Sequence, residues 1–225
     1  MENLLSNIKI QVNEKVYLKD PDSSELGQKI IRGSIDLIDE IGFEQFTFKK
    51  LAADIGSTEA SVYRYFDSKH HLLVYITLWY WGWMEYRLAF GLTNISSPEK
   101  RLKKAIKILT EVIEEDSTFS HVNEIKLNRI VISESSKIYH CKTVDEENTA
   151  GFFHAYKNLV QRVSDIIIEI DPEYKYPHML VSTIIEGAHH QRFFAEHLPR
   201  LTDVIEGEDA ITVFYQNMAL GQLKK

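Results

Sequence analysis

Between residues 47 and 69 the chain gathers Thr47, Lys49, Ser57, Thr58, Ser61, Tyr63, Arg64, Tyr65 and Lys69. Clustered cations such as Lys49, Lys50, Arg64 and Lys69 can pair with phosphate oxygens. Glu59 and Ala60 stand among them. A carboxylate can accept from cytosine, and an alanine methyl can meet a thymine methyl. Glu59 has an equal second reading, as a favourable charge at a helix N-terminus. Catalytic patterns are sparse elsewhere. Glu186-x-x-His189 has the spacing of a di-iron helix pair, but that site needs a second copy and the chain has none. His121 and the His140–Cys141 pair lack a Cys-x-x-Cys or His-x-x-x-His companion. There is no Gly-x-Ser-x-Gly elbow, phosphate loop or dinucleotide fingerprint. No enzyme, cofactor or metal is expected.

The local pattern that must position these side chains is helical. Thr47 can cap a helix with Leu51, Ala52 and Ile55 on one face, and Gly56 can end it in the left-handed conformation. Thr58 can cap the next helix, with Val62 and Phe66 inward. Asp67 or Ser68 opens a longer one. Helix, glycine turn, helix is the outline of a helix-turn-helix. Upstream, Asp22 or Ser23 can cap a bracing helix that Gly42 stops, with Glu25 in its first turn.

Thr47, Leu51-Ala52, Gly56, Ser61, Tyr63, Tyr65-Phe66 and Lys69 resemble the signature of the TetR family of bacterial transcriptional regulators, over roughly residues 26–73. The resemblance implies a recognition helix whose exposed start is Ser57, Thr58, Glu59, Ala60 and Ser61. It implies a phosphate contact from the Tyr63 hydroxyl, and backbone contacts from Thr47, Lys49 and Lys69 on either side. Tyr65 is expected on backbone or base, and Arg64, exposed by the same periodicity, on a further phosphate. Glu59 departs from the basic or amide residue common there. The resemblance also implies homodimerisation through the last two long helices. Rows at Val181, Ile184, Ile185 and Ala188 and at Ile211, Phe214 and Met218 fit that pairing or an internal core equally.

The chain has 225 residues, a net charge of −7 and one cysteine. That excludes a disulfide framework and fits a reducing cytoplasm. Residues 23–73 hold six Lys and Arg against eight Asp and Glu. Affinity for double-stranded DNA therefore rests on clustered cations, helix N-termini and two copies, not on bulk charge. The first residues lack a signal-peptide pattern, and the run Leu72–Met84 is too short to span a bilayer. The expected architecture is all-α with about nine helices: an arm over 1–21, a helix-turn-helix domain over 22–70, and a larger helical ligand-binding and dimerisation domain over 71–225. The arm reads equally as a strand-like segment or a tail. Helices are expected over 67–92, from Pro98 through Ile113, over 121–139, 146–170, 177–197 and 208–223. Gly82 permits a bend or a close approach by another helix, and the lysines from Lys100 to Lys107 make a solvated basic face. Trp79, Trp83, Tyr86, Phe152 and Tyr156, with Arg129 and His189 as polar contacts, are the candidates to line a site for a small apolar or aromatic ligand. The rival readings are a helical dimer that binds ligand but not DNA, and a metal-dependent helical enzyme.

Overall fold

The computed structural model describes residues 9–115, 119 and 121–223. Among them are eleven α-helices, three short 3-10 turns and no strand. Cα packing divides the chain into two compact units. One holds the residues up to Gly82 and from Ile113 to His154; the other holds Trp83–Val112 and Ala155 onward.

In the first unit α1 spans Glu25–Gln45, α2 Phe48–Asp54, α3 Glu59–Tyr63, and α4 begins at Lys69 and runs to Gly91. The cap of α1 is Ser24, one residue beyond the expected pair; its hydroxyl accepts from the Gly27 amide. Asp20 instead caps a 3-10 turn at Pro21–Ser23. Gly42 has φ +76 and breaks the helical path near the end of α1, as its lack of a Cβ allows. Ile30, Ile31, Ile35 and Ile38 face the core with Phe46, Leu51, Val62 and Phe66.

Helices α6 (Glu124–Glu134) and α7 (Ser136–Tyr139) belong to the same unit. Asp36 pairs with Lys126, Asp39 with Arg129 and Glu44 with Lys137, so α6 runs beside α1 in the same direction. Residues Leu72–Trp81 of α4 are buried on every side, as an all-round apolar helix requires. Trp79 packs edge-on against Phe119, Tyr80 donates to Asn128 and the Trp81 indole donates to Tyr139.

The described part of the amino-terminal arm is a strap, not a strand. Val16 is buried, Tyr17 meets Tyr75 edge-on, and the Leu18 amide donates to the Tyr65 carbonyl at 2.8 Å. Asn13 donates to the Ala150 carbonyl, and Ile10 occupies the space that a side chain at Gly82 would fill. Gly82 thus admits the arm rather than another helix. Ile8 and the residues before it lie outside the described residues.

The helix expected over 146–170 is two. α8 (Val144–Thr149) ends before Gly151, whose φ of +86 stops it, and α9 runs His154–Ile170. Phe152 and Phe153, between them, are buried. A glycine in the left-handed region outweighed the continuous helical periodicity.

In the second unit α5 (Pro98–Thr110) buries Leu102, Ala105, Ile106 and Leu109 and exposes Lys100, Lys103, Lys104 and Lys107. It ends at Thr110, leaving Val112 exposed. α10 (Pro177–His197) and α11 (Ala210–Leu223) pack with it. Arg192 ties the three: it donates to the Thr110 carbonyl and to Asp209, while Thr110 and Thr212 share a hydrogen bond of 2.9 Å. Val181, Ile184, Ile185, Ala188 and Ile211 are buried within the chain, whereas Phe214 is 59% exposed. Burial in the monomer assigns the first row to the internal core. Among the described residues, no helix is long and apolar enough to cross a membrane.

Candidate nucleic-acid interface

The turn between α2 and α3 is built by short-range bonds. Thr47 Oγ1 accepts from the Lys50 amide and caps α2. Gly56 takes φ +66, and the Ser57 amide returns to the Ala52 carbonyl at 2.8 Å. Thr58 Oγ1 accepts from the Ser61 amide and caps α3. At five residues α3 cannot stand alone. It is held by Val62, fully buried, and by the Tyr63 ring, which meets Phe48 edge-on at 4.9 Å. That contact brings the first turn of α2 against α3.

One polar surface results. Thr58, Glu59 and Ala60 are exposed, Ser57 and Ser61 partly so, and the Thr58 and Ser61 hydroxyls bond each other. Tyr63 is half exposed, with its ring braced by Phe48. Arg64, Thr47 and Lys49 are exposed. The Lys50 ammonium is turned back to the Gln45 carbonyl.

Two expected members of the surface are elsewhere. Tyr65 is 3% exposed. Its hydroxyl bonds Ser24 Oγ at 2.8 Å, and Lys19 lies over its ring. It is an inward anchor between α3, the start of α1 and the arm, where the expectation set it on backbone or base. Burial raises its phenol pKa, and the bonds to Ser24 and Lys19 outweigh that and lower it. Lys69 is the second. Its ammonium donates to the carbonyls of Phe43, Glu44 and Phe46 at 3.0, 3.4 and 3.3 Å and lies over the Phe43 ring. Those carbonyls follow the Gly42 break, where helix ends leave acceptors unpaired and favour cations. With three donors and three acceptors, Lys69 braces the module instead of reaching outward.

The expected ligand residues divide between the units. Trp79 and Phe152 are core of the first; Trp83, Tyr86, Tyr156 and His189 belong to the second. Arg129 forms a two-bond pair with Asp39, at 2.8 and 2.6 Å. Tyr156 donates to Glu186 at 3.0 Å. Burial, with the neighbouring His190, lowers the His189 pKa to about 4, so His189 is neutral at physiological pH. Two clefts of ≈ 450 and ≈ 460 Å³ open in the second unit around Asp203, Ile205, Glu208, Ala210 and Ile211, which none of the expected ligand residues lines. Periodicity could not have found them, because the 199–209 connection forms their walls.

A family model described as bacterial regulatory proteins, tetR family, matches residues 30–76, from α1 through the start of α4. Comparison with curated proteins finds no match. Among solved structures, AibR bound to isovaleryl coenzyme A and operator DNA superposes with a TM-score of 0.59 at 15% identity, covering 85% of this chain and 97% of that one. The fatty acid degradation regulator FadR from Bacillus halodurans gives 0.59 at 15%, covering 87% and 97%. The superantigen PfiT gives 0.59 at 13%, covering 90% and 97%. At these identities the likeness establishes a fold, and one fold carries several activities. The stretch from α1 through the start of α4 thus matches the tetR family of bacterial regulatory proteins, and the chain as a whole shares the fold of these solved structures.

Proposed function

We propose that this regulator reads a pseudo-palindromic operator as a homodimer in the cytoplasm and represses until a ligand is bound. Residues 22–70 form the reader and residues 71–225 the sensing and pairing part. The observation that carries the reading is the exposed start of α3, Ser57–Ser61, flanked by Tyr63, Arg64, Thr47 and Lys49 and braced from within by Tyr65 and Lys69. Ser57, Thr58, Glu59, Ala60 and Ser61 face base edges. Tyr63, Arg64, Lys49 and Thr47 hold phosphates. Pairing is supported by exposed apolar side chains on and beside α10 and α11: Phe193, Leu198, Leu201, Val204, Ile205 and Phe214. A two-fold pair would set half-sites about one turn, ~34 Å, apart. The ligand is a small apolar or aromatic molecule sensed by the helical part, through Trp83, Tyr86, Tyr156 and His189. The AibR complex adds acyl coenzyme A thioesters, which are larger and anionic, as a second class to titrate.

The test is fluorescence anisotropy on duplexes tiled across the DNA flanking the coding region, at two salt concentrations. Saturable binding to one tile is expected, weakened by Tyr63→Phe, by Arg64→Ala and by salt. Equal binding to every tile, unchanged in both variants, would overturn the assigned face.

A further inference from the structure

Glu147 stands out in the first unit. It lies on α8 with 5% exposure, and its only ion-pair partner among the described residues is a histidine. His70 Nε2 lies 2.7 Å from one of its oxygens, Thr143 Oγ1 donates to the same oxygen at 2.8 Å, and Cys141 Sγ is 3.9 Å from the other. Two local features assemble the group. The Glu147 amide bonds the Thr143 carbonyl, stacking 143 and 147 one turn apart, and the turn after α7 brings Cys141 to the same side. His70 comes from the first turn of α4. The imidazole nitrogen, the thiol sulfur and a carboxylate oxygen all lie within 4.8 Å of one another. Among the described residues no other trio of potential ligand atoms meets this way. The sequence did not disclose it, because His121 lies beside Asp22 and only Cys141 of the His–Cys pair joins the cluster.

A carboxylate this buried favours a cation beside it. One nitrogen, one sulfur and one oxygen form the borderline-soft set that suits Zn²⁺ and disfavours Mg²⁺ or Ca²⁺. We propose that His70, Cys141 and Glu147 form a binding site for a thiophilic divalent cation of the Zn²⁺ class. Tetrahedral bonds of ~2.0–2.3 Å hold ligand atoms about 3.3–3.7 Å apart. The sulfur–carboxylate separation is already near that. The imidazole and carboxylate need only part by less than about 1 Å, the cation taking the place of the proton between them. Three protein ligands leave a fourth position for water, beside the Thr143 hydroxyl. A cation there would fasten the 141–147 segment to the first turn of α4, next to Lys69.

The test uses the full chain, reduced and freed of metal by chelation, then titrated with Co²⁺ and, in competition with a chromophoric chelator, with Zn²⁺. One equivalent of Co²⁺ is expected, with a thiolate-to-cobalt charge-transfer band that Zn²⁺ abolishes. His70→Gln, Cys141→Ser and Glu147→Gln should each weaken Zn²⁺ binding at least about tenfold. Cys141→Ser, at a partly exposed position, serves as the variant that keeps the wild-type melting curve, so loss of its band reports the site and not unfolding. Cobalt binding without a sulfur band, unchanged in Cys141→Ser, would overturn the proposal, as would no binding by the wild type above that of the triple variant.

Discussion

Lys69 and Tyr65 show how residue type and residue role separate at a reading head. Both are types that touch DNA, and both are used inward here. Lys69→Met is expected to lower stability by about 1–2 kcal/mol, since it leaves carbonyls beyond the Gly42 break without a charged donor and the site is partly solvated. Tyr65→Phe should cost about 1 kcal/mol by losing the bond to Ser24, with DNA affinity unchanged. Urea unfolding measures both. Lys49→Ala is the opposite case. It should leave unfolding within about 0.5 kcal/mol of wild type. It should weaken binding across all duplexes and reduce the salt slope by about one. An unchanged salt slope would remove Lys49 from the phosphate contacts.

At the scale of elements, α3 is a single capped turn whose geometry depends on its ends. Thr58→Ala removes the side-chain acceptor for the Ser61 amide, at about 1 kcal/mol. It should also cut operator affinity more than Thr47→Ala, because the exposed first turn frays. Anisotropy beside thermal unfolding separates the two effects. The strap is the second element to test. A Cβ at Gly27 would strike the Pro21 backbone, with Pro21 Cα only 2.6 Å away. Gly27→Ala must therefore displace the 3-10 turn, with an expected loss of about 2–4 kcal/mol. A melting curve like the wild type's would show that residues 9–23 add nothing to the first unit.

At the scale of the molecule, stability should follow pH through His189. Its folded pKa of about 4 lies below the ordinary 6.5, so between those values the unfolded chain binds the extra proton. Its contribution is complete above pH ~6.5, falls as pH drops and is gone below about 4, a span of about 3 kcal/mol. His189→Leu should flatten that part of the curve. Asp209 does not confuse it. Burial opposes its ionisation, but hydrogen bonds from Arg192 and Thr212 dominate and lower its pKa below 3.8, so its loss comes at still lower pH. Pairing is read at this scale too. Phe214→Glu, at an exposed site on α11, should shift sedimentation toward monomer and reduce operator affinity with little change in monomer unfolding.

Local chemistry made much of this legible without coordinates. Thr47, Thr58 and Pro98 as helix starts, Gly42 and Gly56 as stops, and the amphipathic stripe of α5 depend on bonds within a few residues, so composition and spacing determined them. The all-helical fold and the reading turn follow from that. What sequence left open is what distant chain segments decide. Tyr65 turned inward because Ser24 and Lys19 were waiting for it, and Arg129 because Asp39 stood on the neighbouring helix. The 146–170 helix broke at Gly151, whose φ is +86. Cys141 met His70 across 71 positions of sequence. A side chain's periodicity gives its face, but the partner that satisfies it is chosen by packing, and only the tertiary structure brings that partner within bonding distance.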